Sequence, residues 1–157
     1  MIEFLAFWNY FESGHIKEVF CEGFTSDSTK VERIIIYGSK NGNLYEYDSF
    51  KEKFVLREKI KTVSENFLGI VGYSGTYTTE SIFVGNNLKF KEVQSMDEAN
   101  LFGLPVQGES IEIIKIINAK KDSSNYEAKY SLTGFNGFVN LDAKANLNCK
   151  LIDTYSF

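Results

Sequence analysis

The sequence predicts a mainly β protein: a single-domain antiparallel β-sandwich or β-barrel of about nine or ten strands over residues 1–157, with one short helix near 95–102. Three observations lead there. β-Branched and aromatic residues recur with a period of two in short runs, and clusters of Gly, Asn, Ser and Asp punctuate those runs. The third is size: 157 residues with 43% apolar content suffice for one core that buries about 70% of the unfolded surface.

Residues 1–28 read as two N-terminal strands rich in aromatics. VERIIIY at Val31–Tyr37 follows, apolar on both faces in its second half, so it is expected between packed layers. Asn41-Gly42 supplies the positive φ angles of a tight reversal into LYEYD, Leu44–Asp48. SFKEK then separates LYEYD from FVLREKI, and the three runs make a meander. Phe67–Tyr73, Thr76–Val84 and Leu88–Val93 form a second set, with GYSG and Gly85-Asn86-Asn87 at its junctions. Ser95-Met96-Asp97-Glu98 carries a hydroxyl followed three residues later by a carboxylate, the capping-box pattern that predicts a helix running to about Phe102. Pro105 and Gly108 break the chain before Ile111–Ala119, and strands over Tyr126–Thr133, Phe138–Ala143 and Asn148–Tyr155 complete the set. GYSG at Gly72–Gly75 and GFNG at Gly134–Gly137 read as hairpin or bulge corners in which glycine supplies backbone freedom at positive φ.

The chemistry-bearing residues exclude more than they suggest. GYSG fails as a nucleophile elbow because Thr76 stands where a small residue is required, and His15, the sole histidine, has no triad-like surroundings. One His and two distant Cys provide no transition-metal cluster. EF-hand, P-loop and dinucleotide motifs are all missing, so the chain is expected to need no catalytic residues, no metal and no cofactor. Cys21 and Cys149 have no CxxC spacing and read as two buried thiols. A pI near 5 disfavours nucleic acid, although Lys51, Lys53, Arg57, Lys59 and Lys61 make a local basic run. No apolar run reaches the length of a membrane helix and no secretory leader is recognisable, which predicts a cytoplasmic protein. The preference for Lys, Ile and Asn follows AT-rich codons and suits a low-GC bacterial source.

Three features retain functional interest. Glu46 and Asp48 share one side of a strand about 6–7 Å apart, the arrangement of a general acid and base, with Tyr45 and Tyr47 opposite. The simpler reading turns the tyrosines inward and the acids to water. Lys115 shares a face with Ile111, Ile113 and Ile117; it either meets a ligand in a cavity or snorkels to an edge. TYTTES, Thr76–Ser81, is a polar strand that either lines a cavity or forms an exposed edge, and threonine's strand propensity favours the edge.

The strongest asymmetry is in charge. Residues 1–28 hold five acids and one base, while 29–157 hold sixteen of each. The acidic segment also carries Trp8, Tyr10 and Phe11, and with Glu12, Glu18 and Glu22 these make the candidate partner-binding surface. The expectation is a non-enzymatic protein-binding domain. Its most concrete form is an immunity or antitoxin-type inhibitor of a basic, nuclease-like bacterial toxin. The partner is a basic protein, neither nucleic acid nor membrane, and monomer and homodimer both remain open. A small-molecule-binding β-barrel or jelly roll is the alternative, and a carboxylate-based hydrolase or lyase the third reading.

Overall fold

Ten strands run through the residues described by the computed structural model, which are 15–40, 43–48, 53–56, 61–66, 73–101, 104–135 and 139–156. They are β1 His15–Thr25, β2 Lys30–Lys40, β3 Asn43–Asp48, β4 Lys53–Leu56 and β5 Lys61–Asn66, followed by β6 Tyr73–Val84, β7 Asn87–Leu101, β8 Leu104–Ile116, β9 Asn125–Phe135 and β10 Asn140–Ser156. All belong to one antiparallel sheet ordered β4-β3-β2-β1-β10-β9-β8-β7-β6-β5. The eight strands from β3 round to β6 curl until β3 lies beside β6, so the sheet is nearly closed into a barrel. β4 and β5 extend it past that seam.

Antiparallel ladders hold neighbours in register. Lys40 pairs with Asn43 across the two-residue β2–β3 link, and β4 adds to β3 as the meander reading expects. Val84 pairs with Asn87 around Gly85, whose φ of 64° is one that glycine adopts without a Cβ penalty. Asp27 Oδ1 accepts from the Thr25 hydroxyl and the Thr29 amide in the β1–β2 hairpin, and these donors hold its carboxyl below the usual range.

Alternation then sorts the side chains. Val19 and Cys21 of β1, Val31, Ile35 and Tyr37 of β2, and Leu44 of β3 point inward to meet Leu88, Ile114, Ile116, Tyr126, Ala128, Tyr130, Leu147 and Cys149. Leu44, Leu88, Ile116, Leu147 and Val19 are fully enclosed, each contributing about 1.5–3 kcal/mol of apolar burial. β9 and β10 turn Glu127, Lys129, Lys144, Asn146, Asn148 and Lys150 outward, where they are exposed to water.

Several expectations need correction. The capping-box segment is not a helix: β7 runs straight through it, because β6 and β8 flank it and offer ladder partners on both sides. Ser95 donates its hydroxyl to Glu109 Oε2 across the ladder (3.3 Å) instead of capping amides of its own segment. Asp97 and Glu98 fall where the β7–β8 register shifts, so the polar excess is absorbed as an irregularity in the strand. Tyr73–Gly75 of GYSG lies inside β6 and makes no hairpin; the β6–β7 register shifts between Ser74 and Gly75, which fits the bulge alternative. Gly134 of GFNG does end a strand, and it is required there: φ is 126° and a Cβ would run into the Glu109 carbonyl. The Phe67–Tyr73 run lies almost wholly outside the described residues.

Cys21 and Cys149 are joined in a disulfide, contrary to the expectation of free thiols. They are direct partners in the β1–β10 ladder, a proximity that their spacing of 128 residues could not reveal. Among the described residues no helix is long and apolar enough to cross a membrane.

Candidate functional site

One end of the barrel is closed by the turn between β8 and β9. Lys17, inward on β1, donates from Nζ to the Lys121 carbonyl (2.8 Å), the Tyr126 hydroxyl (2.8 Å) and the Ala119 carbonyl (3.4 Å). Tyr37 donates to the Ala119 carbonyl and Tyr126 to the Lys121 carbonyl, so three side chains from three strands hold one turn. Burial brings the Lys17 ammonium down to about 8, partly opposed by Asp122. This end is a plug.

Farther along the barrel the filling changes. β2 contributes Arg33 on the same inward face as Val31, Ile35 and Tyr37, and the guanidinium crosses the interior to β8. Nε and Nη2 fork onto Glu112 Oε1 and Oε2 at 2.8 and 2.7 Å. Nη1 donates to the Glu32 carbonyl (2.7 Å), and Tyr130 donates its hydroxyl to Glu112 Oε2 (3.1 Å). The carboxylate raises the Arg33 pKa above its ordinary value. Burial, reinforced by Glu112, pushes Tyr130 up to about 12.

Above this bridge lies a cavity of about 690 Å³, within the size range of small-molecule sites. Ile35, Phe90 and Ile114 give it apolar walls. Arg33, Glu46, Thr79, Ser81, Glu92 and Glu112 supply its polar groups from five strands. Tyr47 and Glu80 also line it, so it reaches solvent beside the β3–β6 seam. Glu92 and Glu112 are direct partners in the β7–β8 ladder and therefore share the inner face.

The candidate residues are redistributed accordingly. Glu46 faces inward, with its Oε1 shut away from solvent, while Tyr47 is 45% exposed; the expected orientation of LYEYD is reversed. The cause is register: the β2–β3 ladder sets Glu46 against Tyr37, which is buried in the core. Of Asp48 only the backbone is described, so its carboxylate lies outside the described part; inside the barrel Glu92 stands opposite Glu112 in the β7–β8 ladder. TYTTES is not an edge, since β6 pairs with β5 and β7, and Thr79 and Ser81 line the cavity. Lys115 lies outside it, in register with Lys89 and Lys129.

Trp8, Tyr10, Phe11 and Glu12 lie outside the described residues. Glu18 and Glu22 alternate with the inward Val19 and Cys21, so they take the outer face of β1. Glu18 accepts a hydrogen bond from the Tyr155 hydroxyl (3.1 Å). On the same face Phe24 is 63% exposed, and so is most of Ile34 at 62%. Phe24 therefore stands on the outer face with Glu18 and Glu22 and does not fill the core.

Arg33, Glu92 and Glu112 are absent from the candidates drawn from sequence, although each has a visible signal. Arg33 shares its face with Val31 and Ile35, Glu112 with Ile114 and Ile116, and Glu92 with Leu88 and Phe90. Each is a charge on an apolar face. Among the described residues no group of three His, Cys, Asp or Glu is placed to hold a metal ion. No protein family, curated protein or solved structure matches the chain.

Proposed function

We propose that this protein binds a small molecule inside its barrel, in the cavity above the Arg33–Glu112 bridge. One observation carries the reading: a space of about 690 Å³, open to solvent at the β3–β6 seam, has apolar walls and convergent polar groups. Apolar walls with a few fixed polar groups are what orient a ligand. The bridge itself gains little stability relative to an apolar filling, which fits a role in shaping the site.

Native mass spectrometry of protein purified from its natural host tests this. A reproducible adduct is expected that survives in the folded protein and leaves on denaturation. Ser81→Phe, which fills the cavity, is expected to abolish it. An adduct indifferent to Ser81→Phe, or no adduct under any gentle condition, would contradict the reading.

A second reading rests on the outer face of β1 and β2. Exposed Phe24 and Ile34 accompany Glu18 and Glu22 on that face, where Glu32 is paired with Lys30 (2.6 Å), and the apolar patch beside Glu18 and Glu22 complements a basic protein. An immunity-type inhibitor of a basic toxin would dock there. Its support would be a basic host protein retained by the wild type and released by Glu18→Lys with Glu22→Lys. Retention unchanged by that charge reversal would dismiss it.

A further inference from the structure

We infer that the ligand of the cavity is a small organic cation, an ammonium group carried on an apolar body; this rests on the small-molecule reading above. The argument begins with Glu92 and Glu112. They face the same interior from directly opposed positions on β7 and β8, where like charges repel and destabilise the ladder. Arg33 relieves one of them. Its Nε and Nη2 are committed to the two oxygens of Glu112, and its Nη1 to the Glu32 carbonyl. Each guanidinium nitrogen thus already donates one bond elsewhere, and Glu92 adds a longer-range attraction to Arg33.

The opposite face of the same ladder has a different balance. Lys91 of β7 is the direct partner of Glu80 of β6, so at the rim each charge meets its opposite. Inside, the bridge cancels Arg33 against Glu112 and leaves Glu92 in excess beside the Phe90 and Ile114 walls, with Glu46 of β3 a further carboxylate lining the same space. A carboxylate in a partly desolvated pocket gains most from an ammonium that brings both charge and donors, and an aromatic wall such as Phe90 adds attraction to the same charge. An anion would instead meet Glu92 and find Arg33 already occupied. Thr79 and Ser81, from the neighbouring strand, supply hydroxyl acceptors for the remaining N–H groups.

Three probes of one shape and different charge separate the possibilities: 2-phenylethylammonium, 2-phenylethanol and phenylacetate. Each is titrated into the full chain by calorimetry, with amide and methyl shifts at Ile35, Phe90 and Ile114 locating the site. The ammonium is expected to bind at least about tenfold more tightly than the alcohol, as a charged hydrogen bond warrants, with phenylacetate weakest. Glu92→Gln should collapse the ammonium-to-alcohol ratio to about one, whereas Lys89→Gln, outward on the same strand, should leave the ratio intact. If the alcohol or phenylacetate binds in the cavity as well as the ammonium, or Glu92→Gln leaves the ratio unchanged, the charge assignment falls and the cavity reading stands. If none of the three shifts the wall residues at millimolar concentration, both fall.

Discussion

Replacing Arg33 by Met removes the fork while keeping a long apolar side chain. A fully buried pair that loses one partner costs about 3–5 kcal/mol, and an exposed pair at most about 1 kcal/mol. Here the Glu112 side chain is 16% exposed and that of Arg33 41%, which places the cost between those limits, at about 2 kcal/mol. Glu112 would retain the Tyr130 hydroxyl but would face Glu92 with no cation between them. Glu112→Leu is expected to cost less, about 1 kcal/mol, because the freed Arg33 can turn to Glu92. The double variant should lie within about 1 kcal/mol of wild type, since the charges leave together. Urea unfolding of the four proteins gives the cycle, and a coupling of at least about 1 kcal/mol is expected. Additive costs, or an Arg33→Met variant within about 0.5 kcal/mol of wild type, would mean that the two side chains do not meet across the barrel.

Lys17 makes stability depend on pH. Its folded value of about 8 lies below the ordinary 10.5, so the cost of burying its charge is full below pH 8 and disappears as pH rises toward 10.5. Stability should therefore climb between pH 8 and 10 and flatten in Lys17→Met. Tyr130, raised to about 12, acts in the opposite sense and should lower stability once pH exceeds the ordinary tyrosine value of 10. The Cys21–Cys149 disulfide closes a span of 128 residues, for which chain entropy gives about 5 kcal/mol; the double Ser variant should lose much of that in denaturant, and alkylation should label no thiol until the protein is reduced. Gly134→Ala should destabilise by at least about 1 kcal/mol, because φ is 126° and its Cβ meets the Glu109 backbone.

Much of this was written in local pattern. Period-two runs and glycine or asparagine turns are local signals, and they led to a β fold, to the strand number and to the hairpin at Asn41-Gly42. Which face of each strand turns inward was harder. Ile34-Ile35-Ile36 is apolar on both faces, so the parity of β2 is hidden, and with it the parity of LYEYD. A two-residue turn nevertheless fixes Tyr37 opposite Glu46, so one known inward residue would have oriented both strands. The helix near Ser95 misled because a capping box is a local preference, whereas the ladders on both sides of β7 are tertiary. Arg33, Glu92 and Glu112 stood out individually as charges on apolar faces. Their convergence depends on closure of the sheet, which brings β2 across from β8, and no spacing in the chain encodes that distance. The bridge between Cys21 and Cys149 was illegible for the same reason.

The most direct test of the ligand cavity is a crystal of the protein soaked with 2-(4-iodophenyl)ethylammonium, in which iodine marks the apolar end by anomalous scattering. The expected peak lies among Ile35, Phe90 and Ile114, with the ammonium density against Glu92. A peak on the outer face beside Phe24, or an unoccupied interior at saturating probe, would contradict the account.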